Sequence, residues 1–273
     1  MSANLAEHTV SKTYQLLPSM EPHIAPVRNV VLPPGAVEPK GRTMPIWKRG
    51  LDLVCIAMAL PVVLPAMIVI SLLIKIFSRG PSFFKQERVG HHGRRFVLYK
   101  FRTMTVSSDP DVHRRHVEQL IGSGQPMSKM DAQGDARLLP LGWILRATGL
   151  DELPQLINVA RGEMSLVGPR PCLPFEFERY SVPQRERFNA APGLTGLWQV
   201  SGKNHTTFAE MVQLDIDYSR SMSLWHDLKI MLKTPLALIV QLREARTKRR
   251  PNRPTRDVGP QLRTLRPSHQ IQH

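Results

Sequence analysis

The sequence predicts an α+β protein: a mostly helical domain with one small β-hairpin, anchored by a proline-bent re-entrant membrane helix and by interfacial amphipathic helices. Three features lead to this. Residues 53–74 carry no charged side chain. Two β-rich segments, 82–88 and 95–101, flank the glycine-bounded turn Gly90-His91-His92-Gly93. Helical periodicity dominates from Leu138 onward.

The chain has 273 residues, enough for one or two domains. Its hydrophobic content, 42%, supports a real core, while 6% aromatic residues make base-stacking platforms unpromising. A net charge of +15 points to a polyanionic partner: nucleic acid, an anionic membrane or phosphorylated substrates. Cys55 and Cys172 lack metal-ligand spacing, and Cys55 lies in the apolar run, so no disulfide is expected. The first ten residues do not read as a secretory signal.

Prolines at 18, 22, 26, 33, 34, 39 and 45 make residues 1–45 a disordered tail by expectation. The apolar run follows, and residues 46–78 form the membrane segment. A straight helix over residues 53–74 would reach about 33 Å, enough to cross a ~30 Å hydrocarbon core. Pro61 and Pro65 interrupt its backbone bonding, however, and basic residues flank both ends: Lys48 and Arg49 before, Lys75, Arg79 and Lys85 after. A helix that enters, bends near Pro65 and returns satisfies both ends with arms of ~15–18 Å, and a straight crossing satisfies the length.

Residues 79–241 form the main domain. After the hairpin, residues 109–134 are polar and read as a helix followed by a loop. Residues 138–160 are helical with a break at Thr148-Gly149, closed by Gly162. Residues 175–190 and 208–222 are further helices. Residues 224–240 alternate Trp225, Leu228, Leu232 and Leu236 with Lys229 and Lys233, a pattern suited equally to a membrane interface and to a buried helix. Residues 242–273 are a basic, disordered tail by expectation.

Three clusters have chemical potential. In Lys100-Phe101-Arg102 two cations alternate with an apolar residue, so both point to one face of a strand, useful against a diphosphate or as edge protection. Asp151-Glu152 follows Gly149, where acids offset a helix dipole. Arg146 and Arg161 lie on either side, and carboxylates among cations can bind a divalent metal or attack phosphorus. In Pro169-Arg170-Pro171 two prolines stiffen the backbone around one guanidinium, which suits a phosphate or a nucleobase edge. The Gly193 to Lys203 stretch has no P-loop spacing.

In order along the chain stand Lys48-Arg49 with Asp52, the proline-bearing apolar run, and Phe84-Lys85-Gln86-Glu87-Arg88-Val89-Gly90. Lys100-Phe101-Arg102-Thr103-Met104, Leu150-Asp151-Glu152-Leu153-Pro154-Gln155, Val167-Gly168-Pro169-Arg170-Pro171 and Pro192-Gly193-Leu194-Thr195-Gly196 follow. This ordered set, spanning about two-thirds of the chain, resembles the monotopic phosphoglycosyl transferases of the bacterial sugar transferase family. The nearest likeness is to short exopolysaccharide-initiating members.

The resemblance implies a re-entrant helix bent at Pro65, with Pro61 assisting because Leu64 stands where the family often has serine. It implies a catalytic domain on the cytoplasmic face of the inner membrane. Asp151 would be the nucleophile toward a UDP-sugar and Glu152 its assistant, with Mg²⁺ partly held by Asp151. Undecaprenyl phosphate would be the acceptor. Lys100, Arg102, Arg146 and Arg170, with Gln86, Arg88, Pro169 and Pro171, would bind substrate. A nucleic acid partner is not implied, and a homodimer is compatible. Ala191 stands where the family often has a basic residue, a loss that Lys203 could make good. The competing reading is a membrane-tethered basic scaffold that binds an anionic polymer through its tail. It accounts for the charge and leaves Asp151-Glu152 and the Pro-Arg-Pro unit unexplained.

Overall fold

The computed structural model describes residues 44–105, 110–127 and 137–249. The expected N-terminal tail up to residue 43, the loop at 128–136 and the tail from residue 250 lie outside the described residues.

Helix α1, Ile46–Phe77, is apolar over most of its length and long enough to cross a membrane by length and composition. It stays continuous through Pro61 and Pro65, so no break in helical structure divides it into two arms. Lys48, Asp52, Ile70 and Ile74 are buried and fall on one helical stripe. Around the rest of the helix Met58, Val62, Leu64, Ile68, Leu72 and Ile76 are exposed. Leaving so many large apolar side chains in water forfeits ~1.5–3 kcal/mol each, so this surface is made for lipid.

Both ends of α1 dock on the rest of the protein. At the start, Lys48 Nζ lies 2.5 Å from Asp227 Oδ2 and donates to Tyr218 Oη at 2.9 Å. Asp52 Oδ1 accepts from Ser165 Oγ and from the Leu166 amide. At the far end Ile70 and Ile74 pack with Phe101, Leu139 and Leu145. Arg102 donates to the carbonyls of Ser78 and Arg79 just past the helix.

Strands β1, Phe83–Val89, and β2, Arg95–Phe101, form the expected antiparallel hairpin. Helix α2 is Pro110–Ser123. Helices α3, Gly142–Thr148, and α4, Gln155–Arg161, each end at a glycine in the left-handed region, Gly149 (φ 74°) and Gly162 (φ 80°). Such a residue closes a helix at little steric cost. A second, two-stranded parallel sheet pairs β3, Ser165–Val167, with β4, Gly193–Thr195.

The helix expected over 175–190 is two pieces, α5 at Pro174–Arg179 and a 3₁₀ segment at Pro183–Asn189. The chain turns extended at Tyr180 (φ −70°, ψ 129°) and ends the first piece. Pro183, which has no amide hydrogen to continue a helix, opens the second at its first position, where none is needed. A short helix α6, Leu197–Val200, precedes α7, Phe208–Ser221, which opens with a capping box between Thr207 and Glu210. Helix α8, Leu224–Arg249, runs on past the expected boundary at Gln241. The largest core cluster joins Val89, Cys172, Phe177, Tyr180, Trp198 and Met211, so hairpin, α5 and α7 share one interior.

Candidate active site

The chain reverses at Gly149 and enters a 3₁₀ turn, Leu150–Glu152. That turn buries Asp151 to 8% exposure and leaves Glu152 partly exposed. Lys100 on β2 meets Glu152 at 2.9 Å. The strand and the turn keep this relation because Asn158 on α4 pins them together. Its amide donates to the Val97 carbonyl at 2.7 Å and to Glu163 at 2.7 Å, and its oxygen accepts from the Tyr99 amide at 3.2 Å. Asn158 is fully buried, so each of these bonds stands in for lost water.

In the Pro169-Arg170-Pro171 turn every one of the carbonyls is held. Pro169 accepts from the Gly193 amide at 2.8 Å, Arg170 from Arg187 at 2.9 Å and Pro171 from Arg88 at 3.2 Å. Arg187 is itself buried against Asp215 and Tyr180. The neighbouring glycines are there for close approach. A Cβ on Gly168 would meet the Ala191 carbonyl oxygen at 2.1 Å, and one on Gly196 would meet the Gly168 carbonyl oxygen at 2.1 Å. The two glycine motifs of the sequence are thus one interlocked backbone unit. The Arg170 side chain is half-buried, with Nη1 3.4 Å from Glu176.

Lys203 completes the cluster. It is half-buried, and burial pushes its pKa down while Glu152 and Asp151 pull it up and Lys100 and Arg170 oppose them. The ammonium therefore shares one electrostatic neighbourhood with both carboxylates and with Lys100 and Arg170. Arg88, which holds the turn, is buried, its pKa pushed down to about 10 by burial and by Arg170. It stays charged at neutral pH, and its second bond goes to Gln86 at 2.7 Å.

The structure thus brings together Asp151, Glu152, Lys100, Arg170 and Lys203. Gln86, Arg88, Pro169 and Pro171 belong to the turn's support. Arg102 goes elsewhere: buried, it closes the C-terminal end of α1 at Ser78 and Arg79, because the alternation that puts Lys100 toward Glu152 ends where β2 ends at Phe101. Arg146 lies on α3 just ahead of the carboxylates, its carbonyl accepting from Gln241 at 3.2 Å.

Residues 43–241 match the model of the bacterial sugar transferase family. The chain belongs to that family. Its relatives include the undecaprenyl-phosphate galactose phosphotransferase of Salmonella typhimurium, 38% identical over 71% of this chain and 40% of that one. The exopolysaccharide production protein ExoY of Sinorhizobium fredii is 38% identical over 73% of this chain and 87% of its own. The UDP-glucose:undecaprenyl-phosphate glucose-1-phosphate transferase of Caulobacter vibrioides is 39% identical over 77% and 76%. The chain spans about two-fifths or less of the length of several curated relatives it matches.

For this sugar transferase family member the donor set bears on a metal. Among the described residues no group of three or more His, Cys, Asp or Glu is placed to hold one. Two adjacent carboxylates suit Mg²⁺, which takes one or two carboxylates and fills its shell with water and substrate phosphate. Asn158, Arg187 and Asp215 were not picked out from the sequence. A lone Asn on a helix and an Arg in a charged segment carry no local mark of burial; only their tertiary partners do.

Proposed function

We propose that this protein transfers a hexose-1-phosphate from a UDP-sugar to undecaprenyl phosphate, starting the assembly of an exopolysaccharide or related glycan. One observation carries the reading: a buried Asp151 beside Glu152, set among the charges of Lys100, Lys203 and Arg170. The names of relatives that move galactose or glucose phosphates to this lipid support it.

The reaction runs in two displacements. An Asp151 carboxylate oxygen attacks the β-phosphorus of the donor, the bond to the bridging oxygen breaks, and UMP leaves. A phosphosugar remains on Asp151. A phosphate oxygen of the lipid then attacks that phosphorus and Asp151 departs, giving the polyprenyl diphosphate sugar. Neither displacement needs a net proton. Lys100, Arg170 and Lys203 offset the phosphate charge, and an arginine fork on a rigid turn gives direction as well as charge. Glu152, oriented by Lys100, assists at the nucleophile. Asp151 would hold Mg²⁺, which when bound would supply further charge neutralisation.

A re-entrant α1 fits this chemistry. The domain touches α1 near Lys48 and Asp52 and again near Ile70, Ile74 and Arg102, which favours entry and exit on one membrane face, here the cytoplasmic face of the inner membrane. The exposed apolar stripe of α8, including Trp225, Leu232 and Leu236, would rest on the same surface.

The test is UMP release from a panel of UDP-sugars with undecaprenyl phosphate and Mg²⁺, comparing wild type with Asp151→Asn. Wild type is expected to release UMP with one hexose donor and to show a phosphosugar on the peptide containing Asp151 by mass spectrometry. The variant loses at least ~10³-fold in rate. An active Asp151→Asn enzyme would sink the covalent route.

A further inference from the structure

Helix α8 has an inner stripe that nothing in the reaction uses directly. Asp227, Ile230, Thr234, Leu238 and Gln241 recur at spacings of three and four and so share one face. Thr234 Oγ1 pairs with Thr195 Oγ1 at 2.9 Å. Leu238 packs where a Cβ on Gly149 would sit, 3.4 Å away. Gln241 then makes contacts of two kinds. Its Oε1 accepts from Lys203 Nζ at 3.1 Å, and its Nε2 donates to the Arg146 carbonyl at 3.2 Å, with the Ala147 carbonyl at 3.5 Å. An ammonium can only donate and a carbonyl can only accept, so one amide orientation alone serves both sides. Glu244, one turn on, accepts from Asn204 at 3.1 Å and meets His205 at 3.0 Å, holding the rest of the Lys203 loop.

We infer that Gln241 is a positioning residue: it ties the Lys203 ammonium to the end of α3, five residues ahead of Asp151, and so sets that cation against the nucleophile. This rests on the reading of the site given above. Lys203 lies on a loop of turns between α6 and α7, and a four-carbon stem on such a loop has many rotamers. The amide removes most of that freedom before substrate arrives, and charge offset of phosphate is effective when the cation is already in place. Hydrophobic packing alone, as from a leucine, would hold the loop and leave the ammonium unaimed.

A double-mutant cycle separates aiming from folding. Gln241→Leu is expected to lower kcat/KM for the UDP-sugar about 10-fold in the wild-type background and less than ~2-fold in Lys203→Met, because with the ammonium gone there is nothing left to aim. In parallel, labelling of Lys203 by an amine-reactive reagent, read by mass spectrometry in the full-length protein, is expected to rise severalfold in Gln241→Leu. Equal losses in both backgrounds, or a labelling rate that does not change, would overturn the tie. Should wild type turn over no UDP-sugar, the proposed function falls, and the labelling rates still decide for or against the tie.

Discussion

At the residue scale, Asp151 is set apart by its surroundings. A carboxylate in the first turn of a helix is ordinary; one that is nearly buried and within electrostatic reach of Lys203 is suited to phosphorus chemistry. The cations do not play equal parts. Arg170 stands on a turn whose three carbonyls are captured and its guanidinium meets Glu176, Lys100 pairs with Glu152, and Lys203 is aimed by Gln241. A residue outside the site sets a pH dependence. His91, in the hairpin turn, has its pKa lowered from 6.5 to about 4 by burial and by His92. Between those values the unfolded chain takes up a proton that folded His91 refuses, so stability is lost as pH falls through that window. Thermal unfolding at about pH 7 and about pH 4.5 should show a drop in Tm for wild type and a smaller drop for His91→Gln. An equal drop would assign the acid sensitivity to other groups.

At the scale of elements, the glycines that join β3, β4 and the Pro-Arg-Pro turn act together. Gly168, Gly193 and Gly196 would each drive a Cβ to within 2.3 Å or less of a backbone atom, where no side chain can yield. Gly196→Ala is therefore expected to cost more than ~2 kcal/mol and to take activity with it. Gly122 on α2 has nothing within 4 Å of its would-be Cβ. Gly122→Ala should be neutral or stabilising by up to ~1 kcal/mol, since alanine has less freedom to lose. Denaturant unfolding of the pair checks both signs. The same scale includes the Lys48, Asp227 and Tyr218 cluster, where Tyr218 also donates to the Val167 carbonyl at 3.2 Å. One buried ionic group thereby holds α1, α7, α8 and β3 at a common point. Charges buried this deeply specify an arrangement more than they stabilise it, because desolvation offsets much of their attraction.

For the molecule as a whole, the position of α1 relative to the membrane follows from what its two ends touch. Single cysteines at Ile46→Cys and Arg79→Cys, in a Cys55→Ala background, would report on each end in oriented vesicles. Cys172 does not interfere, since it is fully buried and its thiol is pushed up to about 12, chiefly by burial. Both sites are expected to react with a membrane-impermeant maleimide from the same side. Reaction from opposite sides would mean a straight crossing and would detach the domain from one end of the helix. Reaction from one side would fit the proposed placement, in which α1 enters and α8 rests on one surface and Asp151 would work beside the lipid phosphate.

Much of this was legible in the sequence where the cause is local. The breaks at Gly149 and Gly162, the hairpin between residues 83 and 101, the helix over 208–222 and the apolar run of α1 each depend on a few neighbouring residues. The ordered motifs were enough to place the chain in its family and to single out Asp151, Glu152, Lys100 and Arg170. Only the tertiary structure decided the rest. Arg102 and Lys100 have the same local pattern, and one closes a helix end while the other meets Glu152; their partners come from different parts of the chain. Asn158, Arg187 and Gln241 have no distinguishing neighbours in sequence, and their roles arise from contacts 17 to 95 residues away. Composition fixes what a segment can become, but a buried polar group acquires its role only from the partner that satisfies it.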